Sequence, residues 1–83
     1  MLRPLPNLDR LTLTKFVAAL YDVSRRIPMA WRRITAIGAR TGIKGDQLDQ
    51  VVADLVTAGL VERRADNPIL VMLTSKGWAI ARS

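Results

Sequence analysis

The feature that most constrains the fold is a pair of short helical repeats broken by one glycine. Ala36, Ile37 and Ala39 follow Thr35, which fits an N-cap, and the segment stops at Gly42, where a positive φ costs little. Beyond it, Leu48, Val51, Val52 and Leu55 fall at i, i+3, i+4 and i+7, which predicts a helix over about residues 46–58 with one apolar face and Gly59 at its end. Helices this short are not stable alone, so their apolar faces need a core supplied by the rest of the chain. With 83 residues there is room for one small core and no second domain.

The flanks supply that core. Phe16, Val17, Leu20 and Val23 recur at helical spacing, predicting a first helix from Thr12 or Thr14 to near Ser24, with Pro28 preventing its continuation. Residues 1–7, with Pro4 and Pro6, are expected to form an extended arm, leaving 8–83 as a single domain. In "RRIPMAWRRI", Trp31 and Ile34 are expected to anchor a short strand to the core. "LVERR" and "ILVMLT", separated by the turn-like "ADNP", predict a β-hairpin, and Thr74 is placed to cap a short last helix carrying Trp78 and Ile80. The class is α+β, mostly α: a three-helix core, a hairpin and a short C-terminal helix. The second hairpin strand is apolar on both faces, Ile69, Val71 and Leu73 on one and Leu70 and Met72 on the other. Its extra face calls for cover by the last helix, by a protein partner or by a second copy of the chain.

This order of elements is that of a winged helix-turn-helix. Such units want a small residue where the helices cross, a glycine in the turn and apolar residues along the inner side, and Gly38, Gly42, Ile37, Ile43, Leu48 and Val51 meet those needs. On these residues, with "TAGLVERR" and "LTSKG", the chain resembles the MarR-type transcriptional regulators over roughly residues 12–82. The resemblance implies double-stranded DNA as partner, the second helix of the unit in the major groove and the hairpin as a wing. By position it makes Lys44, Gln47, Gln50 and Ala53 groove-facing and puts Arg63 and Arg64 on the wing strand. Two features depart from that pattern: the wing tip carries Asp66 and no base, and the long terminal helices through which that family dimerises are missing.

Charge points to the same class of partner. The formal net charge is +6, and it is unevenly placed. Residues 1–44 hold nine basic side chains against Asp9 and Asp22, whereas 45–83 hold four against five acids. Arg25, Arg26, Arg32, Arg33, Arg40 and Lys44 gather around the first two helices, where helix-turn-helix proteins grip phosphate. Gln47 and Gln50 are residue types that can read adenine. The acids of the third helix oppose this: Asp46 is expected to cap it, Asp49 to favour its dipole, and Asp54 to pair with an arginine of the first half. An acidic groove face and a base-free wing tip leave a second function open, a protein-interaction module using that helix or the apolar hairpin.

Catalysis is not expected. There is no histidine or cysteine, and the seven acids show no spacing of a dyad or metal site, so no cofactor is expected either. The apolar runs are too short to cross a bilayer and the start lacks the apolar stretch of a signal peptide, which predicts a cytoplasmic protein with no membrane partner.

Overall fold

The computed structural model describes residues 6–27 and 30–82, with side chains from Arg10 onward. The element order is α1 (Pro6–Ser24), β1 (Arg32–Arg33), α2 (Ile34–Thr41), α3 (Gly45–Thr57), β2 (Val61–Arg64), β3 (Asn67–Leu73) and α4 (Ser75–Arg82). Helix α1 begins earlier than the expected Thr12 or Thr14 because proline is tolerated in the first turn of a helix, where no intrahelical N–H bond is lost. Pro6 and Asn7 of the expected extended arm are therefore helical, and the arm's first five residues lie outside the described ones.

The core forms where α1, α2 and α3 meet one face of the sheet. Phe16 and Leu20 of α1, Ile37 of α2, Val52 and Leu55 of α3, and Val61 and Val71 of the sheet are the largest fully buried side chains. Each such burial contributes roughly 1.5–3 kcal/mol. Ile34 joins this core, but Trp31 does not; it stays half-buried beside it.

The sheet is antiparallel in the order β1-β3-β2. Arg32 and Arg33 pair with Val71 and Leu70, so the expected strand after the first helix is present and makes β3 the central strand. On its other side β3 pairs with β2, Val61 opposite Leu73 and Arg63 opposite Val71, with an irregularity before Arg64. This placement buries Val71 and Leu73 and leaves Leu70 and Met72 half-buried, while Ile69 remains 51% exposed near the hairpin tip. Thr74 caps α4 as expected: its Oγ1 accepts the Gly77 N–H at 3.0 Å. Trp78 packs edge-on against Tyr21 of α1, with centroids 5.3 Å apart, which ties the last helix to the first.

Candidate nucleic-acid interface

Helices α2 and α3 cross at Gly38. A Cβ there would lie 2.8 Å from Leu48 Cδ2 and 3.1 Å from the Ile43 carbonyl oxygen, so only glycine permits this approach without a shift. Gly42 closes α2 in the left-handed conformation, φ 76°, and its N–H donates to the Gly38 carbonyl at 2.8 Å. Thr41 Oγ1 donates to the Ile37 carbonyl at 3.0 Å, which fixes the same turn from the side. Ile43 is buried immediately after it, so α3 starts from a defined point.

The starts of these helices differ from expectation in the same way. Thr35 does not cap α2: the cap position is the extended Arg33, and no side chain bonds to the helix end. Asp46 does not cap α3: the cap position is the extended Lys44, again without a side-chain bond, and Asp46 lies in the first turn. Asp46 retains the dipole benefit there, whereas Asp49 lies past the first turn on the exposed side. Each helix of the unit thus opens with an uncapped N-terminus behind a basic residue. A cation at that end is unfavourable by roughly 0.3–1 kcal/mol, so stability does not explain these two bases.

The basic side chains divide by what they touch. Arg32 Nη2 donates to the Val23 carbonyl at 3.0 Å, holding β1 to the end of α1. Arg40 pairs with Asp22 at 2.8 Å, Arg64 with Asp66 at 2.7 Å, and Arg63 donates to the Pro68 carbonyl at 3.0 Å inside the hairpin. Arg25 lies over the Tyr21 ring at 5.8 Å. Among the described residues, the side chains of Arg26, Arg33, Lys44 and Gln47 make no hydrogen bond or ion pair, and these residues are exposed. Asp54 does not pair with an arginine of the first half: it accepts from Gln50 Nε2 at 2.9 Å, one helical turn away, while Asp22 takes Arg40 instead. Gln47, Gln50 and Asp54 border a shallow recess against Thr12 of α1.

Helix α3 buries Leu48, Val51, Val52 and Leu55 and exposes Asp46, Gln47, Asp49, Gln50 and Ala53. Its far end is tied down, because Lys76 Nζ donates to the Ala58 carbonyl at 3.1 Å and Thr74 Oγ1 to the Gly59 carbonyl at 2.6 Å. The exposed face of α3 is therefore held by the core beneath it and by the wing-to-α4 junction at its end. Among the described residues, no helix is long and apolar enough to cross a membrane, and no three His, Cys, Asp or Glu side chains group as metal ligands.

Three helices, a crossing at Gly38, a two-residue hairpin turn and a returning helix define a winged helix-turn-helix. Among solved structures the chain is similar to the PcaV transcriptional regulator from Streptomyces coelicolor, determined in complex with its natural ligand, with a TM-score of 0.60 and 23% sequence identity. That match covers 80% of this chain and 48% of PcaV, so the chain corresponds to about half the length of that protein. No family model matches the chain, and no curated protein does. The similarity is one of fold: the winged helix, mostly helical with a small antiparallel sheet, is shared.

Proposed function

We propose that the chain is a small transcriptional regulator that binds double-stranded DNA, with α3 in the major groove and backbone phosphates at the starts of α2 and α3. The observation that carries this is the pair of uncapped helix N-termini, each preceded by a base whose side chain has no partner among the described residues, Arg33 and Lys44. Exposed N–H groups, helix dipole and cation together suit a phosphate oxygen. Arg26 adds a cation beyond α1 with no partner among the described residues, and Arg25, Arg40, Arg63 and Arg64 contribute field while holding their own contacts. Arg32 serves chiefly to fix β1. Gln47 and Gln50 are the base-reading candidates on α3, with Gln50 oriented by Asp54.

The test is fluorescence anisotropy with a random-sequence duplex across a salt series. Binding that weakens steeply with salt, and a shallower slope in Arg33→Ala/Lys44→Ala, supports phosphate gripping, since each lost phosphate contact removes about 0.9 from the log–log slope. Absence of binding at low salt rejects it.

A second function, protein recognition, is favoured by one specific feature. Asp46, Asp49 and Asp54 are all exposed on α3, and the base nearest the wing turn, Arg64, is neutralised by Asp66. In that case the acidic α3 face or the Ile69, Leu70 and Met72 surface would carry the contact, with a second copy or another protein as partner.

A further inference from the structure

The exposed side of α3 carries no cation. Between Gly45 and Thr57 the exposed polar side chains are Asp46, Gln47, Asp49, Gln50, Asp54 and Thr57, while Lys44 stands before the helix and Arg63 and Arg64 beyond it. At 3.6 residues per turn, Asp46, Gln50 and Ala53 fall at i, i+4 and i+7 on the ridge opposite the buried Leu48, Val51, Val52 and Leu55. Gln47 and Asp54 flank that ridge on the side of α1, where they border the recess against Thr12. Among the described residues, the Asp46 carboxylate makes no hydrogen bond or ion pair, and when ionised it can only accept. Gln50 is constrained differently. Its Nε2 donates to Asp54 Oδ1 at 2.9 Å, which fixes the amide and leaves Oε1 and the second N–H for a partner.

We infer that α3 selects amino bases, cytosine at Asp46 and adenine at Gln50, in base pairs about two steps apart; this rests on the duplex binding proposed above. In the major groove the donors are cytosine N4 and adenine N6, whereas guanine O6 and N7 and thymine O4 are acceptors. Asp46 accepts from the cytosine amine and offers nothing to guanine. Gln50 accepts from adenine N6 through Oε1 and donates to N7 through its second N–H, and Asp54 acts through Gln50 as its positioning residue. Four residues of helix rise about 6 Å, close to two base steps of about 3.4 Å each. Against an acceptor edge the Asp46 carboxylate is stripped of water and given no donor, which costs more than a bond never made. The acid therefore rejects wrong pairs more strongly than it attracts the right one.

Duplexes with a randomised central window are selected on the whole chain, for wild type, Asp46→Asn, Asp46→Ala and Asp54→Ala, and each protein is also titrated with unselected duplex. Wild type is expected to enrich a G·C pair and an A·T pair two positions apart, and to bind that sequence about tenfold tighter than one with either pair exchanged. Asp46→Asn, whose amide suits adenine, moves the first position to A·T and leaves the second unchanged. Asp46→Ala loses the first preference yet binds unselected duplex more tightly, because a negative charge near the phosphates has gone. Asp54→Ala loses the second preference alone, whereas a merely structural role would weaken both. Thermal melting of each variant separates base reading from folding. Enrichment of no base pair, or an Asp46→Asn selection identical to wild type, overturns the inference and leaves duplex binding standing. Absence of binding to any duplex at low salt removes both.

Discussion

Gly77 is the third residue of α4 and is buried against the start of β2. In an exposed helix interior, alanine in place of glycine stabilises by about 1 kcal/mol. Here the added Cβ would collide with the Leu60 carbonyl oxygen and stand 3.0 Å from Leu73 Cδ2. The leucine methyl can turn aside, but the Leu60 carbonyl is held by the Thr74 N–H at 3.1 Å and cannot. Relief requires α4 to lift from the sheet, at the upper end of the roughly 1–3 kcal/mol typical of overpacking. After the propensity gain, Gly77→Ala should lose about 2 kcal/mol. In a chain of this size that lowers the melting temperature by roughly 8–16 °C. Thermal melting followed by circular dichroism reads it, and Ala79→Gly, exposed in the same helix, isolates propensity with an expected loss of about 1 kcal/mol. An unchanged or raised melting temperature for Gly77→Ala would refute the packing of α4 on Leu60.

Gly42→Ala should cost about 1–2 kcal/mol in urea denaturation and Gly42→Asn less, because nothing lies within 4 Å and the penalty is that of the left-handed backbone alone. Thr74→Ala should cost about 1 kcal/mol and speed hydrogen exchange at the Gly77 amide, whose acceptor is removed. Asp22→Ala should change stability by less than about 1 kcal/mol by the same denaturation assay, since both partners of its pair with Arg40 are half-exposed.

Much of the fold is legible in the sequence because three of its determinants are local. The i, i+3, i+4 spacing of Leu48, Val51, Val52 and Leu55 marks the buried side of α3, Gly42 marks the turn, and "ADNP" marks the hairpin. What was misplaced is the register of the helix starts. Thr35 and Asp46 are good capping residue types, but Ile34 and Ile43 reach the core, and the cap positions fall two residues earlier in each case, at Arg33 and Lys44. The uncapped ends behind Arg33 and Lys44 follow from that shift, which the capping preference of a residue type does not reveal. Partners far apart in sequence were equally hidden. Spacing marks a pair such as Gln50 and Asp54 as neighbours on one helix, yet it cannot show that Asp22 meets Arg40 across two helices or that Arg32 reaches Val23. The fold similarity to PcaV agrees with the winged-helix pattern carried by Gly38, Gly42 and the hairpin.

The most direct test of the central claim is a titration of the isotopically labelled chain with a short DNA duplex, followed through its backbone amide resonances. The account predicts salt-sensitive shifts concentrated at the helix starts after Arg33 and Lys44 and along the exposed side of α3 through Gln47, Gln50 and Ala53. Shifts confined to β3 around Ile69 to Met72, or no shifts at low salt, would contradict it.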